Sequence, residues 1–349
     1  MTEFSRGFSE EKLRLLIAEV KRGRGIAAAM GLWRASGDDG KNSGIEGSRL
    51  LRLAFRNDTI NLYYFGQSIA KIGVSDSVPW LSVHYKYACP KKYDGTGEEP
   101  PKNPYIRMSA GQVSGDTLLD PNGDPTSDFR KTILGWMREV REEVSESADP
   151  TGKKGYAGYE KTLIEKILRN PKNDKVIDLE VGIPGLNKRI DLATIEDLGG
   201  QPCVFFGEVK YFRDGRMRKA EKNNVRPTPE VISGQLEPYG DWLKGNKDAV
   251  GKAYIRAACQ MLQLWNATGN AGDLPQAIRQ AAECKTLAVC EAPRLIVISS
   301  KAEKEAEGRT AYKSWPDHRD ILQTNFKQFP LIEIDADCDK LQLFPPPRI

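Results

Sequence analysis

The chain has 349 residues, 39% hydrophobic and 29% charged, which is enough for one large or two ordinary domains with cores of their own. No apolar run approaches the roughly 20 residues that cross a bilayer, and the opening MTEFSRGFSEEKLRLL lacks the apolar stretch of a signal peptide, so a cytoplasmic globular protein with no membrane partner is expected. Two histidines, His84 and His318, exclude His-rich zinc sites and paired-histidine phosphodiesterase chemistry, while a formal charge of +4 neither demands nor discourages a nucleic-acid partner.

In chain order, Ser9 to Val20 reads as a helix, with Ser9 as N-cap and Leu13, Leu16, Ile17 and Val20 as an apolar stripe. A Gly-, Asp- and Ser-rich segment from Ser36 to Ser43 breaks it, and a short helical stretch is expected near Leu50. From Thr59 to Tyr87 the runs NLYYFGQ, SIAKIGV and WLSVHYKYA predict a β-meander. Cys89 to about Ser127, rich in Pro, Gly, Asp and Asn, reads as a long irregular connection; its DPNGD has glycine in the wrong place for an EF-hand loop and is a turn. A helix from Asp128 to Glu146 ends in SESADPTGKKG, which we take as the boundary between an α+β domain, 1–150, and a second domain, 151–349. The six scattered cysteines include no C-x-x-C pair, and Cys284 and Cys290 lack the companions that an iron–sulfur cluster requires.

The second half opens with a helix, Tyr156–Arg169, and three strand-like runs, KVIDLEVGI, KRIDLATIE and PCVFFGEVKYF. A basic loop from Arg213 to Arg226 leads to helices at Pro229–Lys244 and Asp248–Ala267. The strand RLIVIS, a helix near Asp317–Phe326 and the short strands LIEID and KLQLF close the chain. This order predicts an α/β layered domain, a mixed central sheet flanked by helices.

Strand alternation puts Val204, Phe206, Glu208 and Lys210 on one side of PCVFFGEVKYF and Phe205, Val209 and Tyr211 on the other. An acid and a lysine in so apolar a strand need pairing, solvent or a bound ion. Asp191 is likewise embedded between Ile190 and Leu192, and the Gly199–Gly200 turn predicts a hairpin that brings it toward Glu208. Two carboxylates and a lysine at one sheet edge suit a divalent cation with hard oxygen ligands. In the preceding helix Glu160 falls on the inward stripe of Leu163, Ile164, Ile167 and Leu168, whereas Glu165 is rotated away.

Asp191 followed by Glu208-Val209-Lys210 resembles the signature of the PD-(D/E)XK nuclease superfamily, the restriction-endonuclease-like fold, with Ile190 where the motif's proline usually stands. Glu160 matches the acid that members often carry on the helix before the catalytic strands. Gln235-Leu236-Glu237-Pro238-Tyr239 resembles the Q-x-x-x-Y element of the RecB-like branch, although Pro238 is unusual inside a helix and Gln260, which begins QMLQLW, is the rival glutamine. The resemblance covers about Gly155 to the C-terminus. It implies catalytic Asp191, Glu208, Lys210, Glu160 and Gln235, with Mg²⁺, or Mn²⁺ in its place, on Asp191, Glu208, the Val209 carbonyl and Glu160.

Arg213, Arg216, Arg218, Lys219 and Lys222 of the basic loop are candidates for phosphate contacts along a nucleic acid, DNA foremost. The amino-terminal domain is the expected surface for target recognition, a protein partner or a second copy. Its aromatics Tyr63, Tyr64, Phe65, Trp80, Tyr85 and Tyr87 either stack on bases or form strand core. A nuclease joined to a recognition module points by analogy to restriction or antiviral defence. The alternatives are a non-catalytic nucleic-acid-binding or assembly subunit with the same fold, and a phosphohydrolase acting on nucleotides.

Overall fold

The computed structural model describes residues 4–23, 26–33, 51–84, 87, 105–109, 129–147, 157–169, 173–217, 228–269, 274–299 and 315–335. Among them the chain is mixed α/β, built on two sheets. Helix α1 (Glu10–Lys21) starts where Ser9, extended at φ −62 and ψ 157, accepts from the Lys12 amide. Glu10 and Glu11 in its first turn complement the helix dipole. A short α2 (Ile26–Gly31) follows.

The first sheet is an antiparallel meander of β1 (Arg52–Arg56), β2 (Thr59–Tyr64), β3 (Gln67–Ser75), β4 (Val78–His84) and β5 (Tyr105–Ser109). Two expectations change here. The stretch after Leu50 is strand rather than helix: Arg56 pairs with Thr59 across Asn57 and Asp58, and Asp58 takes the left-handed φ of 54 that the tight turn requires. Tyr105–Ser109, read as irregular, is ordered by pairing with β4, a partner that local composition does not reveal. The expected features at Ser36–Ser43, at 148–156 and at KLQLF lie outside the described residues.

Helices α3 (Phe129–Ser147) and α4 (Ala157–Arg169) lead into the second sheet. Its strands β6 (Val176–Gly182), β7 (Arg189–Leu198) and β8 (Gln201–Tyr211) run antiparallel. A π-helical turn, Ile232–Leu236, opens into the long α5 (Glu237–Thr268). Then come α6 (Gln276–Cys284), β9 (Ala288–Val289), β10 (Arg294–Ser299), α7 (Trp315–Asn325) and β11 (Leu331–Asp335). The sheet order is β11-β10-β8-β7-β6, with β8, β10 and β11 parallel and the short β9 also on β8. The two helices expected across 229–267 are both present: they run on within α5 but meet at a kink at Asn246 (φ −126, ψ 16), and a π turn precedes the first of them. Helix α6 and strand β9 were not foreseen.

Helices cover both faces of this sheet. One apolar cluster joins α1, the first sheet and α3 to Ala193, Ile195, Val204 and Phe206 and on to α5 and α6. The other gathers α4, Leu192, Val209, Tyr211, β10 and α7. The first cluster crosses residue 150, so the two halves are packed against each other. Polar contacts reinforce this. The Phe65 amide donates to Glu165 Oε2 at 3.0 Å, and the Arg52 guanidinium donates to the Leu168 carbonyl. Glu165, which the stripe turned away from the second sheet, is therefore buried against the first. Gln260 brackets Phe8, accepting from its amide and donating to its carbonyl, both at 2.8 Å. A Cβ on Gly7 (φ 98) would lie 2.5 Å from Gln260 Oε1, so only glycine fits there.

The aromatic run is core rather than a stacking platform. Tyr63, Tyr64, Phe65 and Tyr87 are buried, and half-buried Trp80 packs on Gly73 and donates its indole N–H to Ser75 Oγ at 3.0 Å. Tyr85 lies outside the described residues.

Candidate active site

Gly199 and Gly200, at φ 64 and 89, close the β7–β8 hairpin, and its register runs from Leu198↔Gln201 to Leu192↔Gly207. One step further along the ladder Asp191 stands opposite Glu208, and Asp191 Oδ2 accepts from the Val209 amide at 2.6 Å. Lys210 returns over both acids. Its Nζ donates to Glu208 Oε1 and to the Val209 carbonyl (2.9 Å) and lies 3.8 Å from Asp191 Oδ2. Glu208 and Lys210 are 1% and 2% exposed, so the strand's charges are held inside the protein and do not reach water.

Two flanking elements close on this hairpin. From α4, Glu160 Oε2 accepts from the Tyr211 amide at 3.0 Å, which places the first-turn acid at the end of β8. From the π turn, Gln235 Nε2 donates to Glu208 Oε1. The π turn also accounts for Pro238: the Glu237 amide reaches back to the Ile232 carbonyl, and the Gly234 carbonyl, which a proline at 238 has no N–H to serve, receives Lys188 Nζ. Tyr239 donates to the Arg189 carbonyl at 2.6 Å. With Gln260 committed to Phe8, Gln235 is the glutamine at the site.

The charges here do not balance. Burial raises the carboxyl of Asp191, and it raises Glu208, with repulsion from Asp191 adding to the shift. Glu160 is pushed up to about 7, mainly by burial, with Lys210 opposing and Asp191 adding. Burial alone would lower Lys210, but Asp191, Glu208 and Glu160 together raise it, so the ammonium stays charged. Glu208 Oε2 and Gln235 Oε1 are buried without a hydrogen-bond partner among the described residues.

One neighbouring acid escaped the sequence reading. Glu180 on β6 falls between the pairs Leu179↔Leu192 and Val181↔Ile190, across from Asp191, and has φ 52. Burial raises its carboxyl, Asp191 adds to the shift, and Arg189, 3.6 Å away, opposes it. Its position inside KVIDLEVGI was the only available signal.

Of the basic loop, Arg213 is half-buried with its guanidinium 5.4 Å from the Phe212 ring centre, and Arg216 is ion-paired with Asp214. Burial of Asp214 is outweighed by Arg216, which holds its carboxyl below the usual range. Arg218, Lys219 and Lys222 lie outside the described residues.

Among the described residues no group of three or more His, Cys, Asp or Glu side chains stands together so as to hold a metal ion. The donor chemistry nevertheless fits a cation. The buried Lys210 ammonium touches Glu208 Oε1 and the Val209 carbonyl and stands near Asp191 Oδ2, all hard oxygen donors, while Glu208 Oε2 remains unsatisfied beside them. No helix among the described residues is long and apolar enough to cross a membrane. Comparison with family models, curated proteins and solved structures returned no match.

Proposed function

We propose that this chain is a Mg²⁺-dependent nuclease of the PD-(D/E)XK kind that hydrolyses phosphodiester bonds, DNA being its expected substrate. The observation that carries this reading is the seat of the Lys210 ammonium: a positive charge held by Asp191, Glu208 and the Val209 carbonyl, the three groups expected to bind the metal. The order α4, β6–β8, α5, β10, with Asp191 and Glu208 opposed on the middle strands, supports it.

Asp191, Glu208 and the Val209 carbonyl would bind Mg²⁺, with Glu160 within reach of the same charge cluster. The metal supplies Lewis-acid stabilisation of charge on the scissile phosphate and a water of lowered pKa. Gln235 donates to Glu208 Oε1 and so would hold in place the carboxylate that faces the ion. Lys210 would supply a compact ammonium beside the metal, to orient the attacking water and offset negative charge in the transition state. Burial excludes bulk water and strengthens these interactions.

The test is incubation of purified protein with circular and linear DNA, in Mg²⁺ or in chelator, alongside Asp191→Asn and Lys210→Ala. Cleavage in Mg²⁺ is expected from the wild type alone, with Mn²⁺ binding by calorimetry lost in Asp191→Asn. Cleavage that survives chelator, or full activity in either variant, would sink the proposal. DNA binding without hydrolysis would favour the non-catalytic alternative.

A further inference from the structure

We infer that Arg56, on the amino-terminal sheet, is a positioning residue for the candidate active site, acting through the backbone of β6; this rests on the reading of that site as a cation-binding one. Arg56 lies 122 positions before Asp178, and its burial is repaid by an unusual set of partners. One nitrogen, Nη1, donates to Asp178 Oδ1. The other, Nη2, donates to the Leu179 carbonyl and lies 3.3 Å from the Glu180 carbonyl and from the Tyr63 hydroxyl. A single planar guanidinium thus grips three consecutive residues of β6.

The gripped residues are those opposite the catalytic aspartate. Leu179↔Leu192 and Val181↔Ile190 flank Asp191 on β7, and Glu180 between them has a left-handed φ of 52 inside a strand. A glutamate in that conformation is strained and persists only where its surroundings hold it. The Arg56 contacts to the peptide carbonyls on both sides of the Glu180 Cα are such a hold. Releasing the kink would let β6 regularise and shift β7 at Asp191, whose Oδ2 must stay 2.6 Å from the Val209 amide for the carboxylate to face Glu208. Displacements of this size at a catalytic group are costly.

Lysine separates this role from simple charge pairing. Arg56→Lys keeps a cation for Asp178 but cannot also reach the two carbonyls with a planar fork. Arg6→Lys alters the other guanidinium on Asp178, whose remaining bond is to the Ser5 carbonyl and not to β6. Calorimetric Mn²⁺ titration of wild type, Asp191→Asn, Arg56→Lys and Arg6→Lys, with urea melts of each, gives the readout. The expected result is a roughly 10- to 100-fold weaker Mn²⁺ affinity in Arg56→Lys, as for loss of outer-shell support, with Arg6→Lys binding as the wild type does. The double variant Arg56→Lys/Glu180→Asn, with a residue that tolerates positive φ, should recover affinity, and it carries the test if Arg56→Lys alone does not fold. Wild-type affinity in Arg56→Lys, an equal loss in Arg6→Lys, or no recovery in the double variant overturns the inference while leaving the site's reading intact. Absence of Mn²⁺ binding in the wild type, or its persistence in Asp191→Asn, overturns both.

Discussion

Asp178 and Asp191 occupy successive strands, each embedded in an apolar run, and the protein treats them in opposite ways. Asp178 receives Arg6 Nε at 2.8 Å, Arg56 Nη1, the Tyr254 hydroxyl at 3.0 Å and the Leu179 amide at 2.8 Å. Burial pushes its carboxyl up, but the two guanidiniums outweigh this and hold it below the usual range. Asp191 shares one ammonium with Glu208 and Glu160, and all three acids are raised. A buried carboxylate with more cations than it needs is a joint; one of three that, among the described residues, lean chiefly on one ammonium is a place where another cation is wanted.

The sharpest way to break that contrast is to remove Asp178. Asp178→Ala leaves the buried Arg6 and half-buried Arg56 guanidiniums uncompensated and should lose about 3–5 kcal/mol in urea denaturation; a loss below about 1 kcal/mol would mean the network is not a joint. Because Asp178's folded pKa is depressed, its stabilisation is complete above the ordinary carboxylate range and fades as pH falls through and below it.

Glu160 should show the reverse sign. Its carboxyl rises from 4.5 to about 7 on folding, so its ionisation destabilises the metal-free protein progressively as pH climbs through that interval. In chelator at pH 8, Glu160→Gln should therefore be more stable than wild type by on the order of 1–2 kcal/mol, with the gap closing toward pH 4.5 and narrowing when Mg²⁺ is added. A variant less stable than wild type at pH 8 would count against the charge imbalance.

The smallest effects sharpen the same division between the two glutamines. Gln260→Ala should cost about 1–2 kcal/mol through the Phe8 contacts and leave cleavage unchanged. Gln235→Ala should slow cleavage and, through its one bond to Glu208, cost only about 1 kcal/mol. The opposite pattern in paired melting and cleavage assays would reassign them.

Asp191, Glu208, Lys210 and Glu160 were legible because each depends on short-range periodicity: alternation along β7 and β8, a Gly-Gly turn, and the stripe of α4. The same reasoning could not tell Asp178 from Asp191. What distinguishes them is Arg6, 172 positions before Asp178, and no local pattern carries a partner at that range. Strand β5 and the burial of Glu165 were hidden for the same reason, since their partners, β4 and Phe65, come from elsewhere in the fold. The helix predicted near Leu50 failed on a run too short for its period to be judged.

The π turn before α5 carries one residue more than an α-helical path of the same span, so it has the form of a single-residue insertion. Winding the same residues as ordinary α-helix, with none taken out, would rotate the upstream part of the turn by up to about 100° relative to α5. Gln235 and Tyr239 could not then both keep their places against Glu208 and the Arg189 carbonyl. The spacing between glutamine and tyrosine is therefore a matter of winding as well as of count, and a chain with the same five letters on a regular helix would present a different face to the strand.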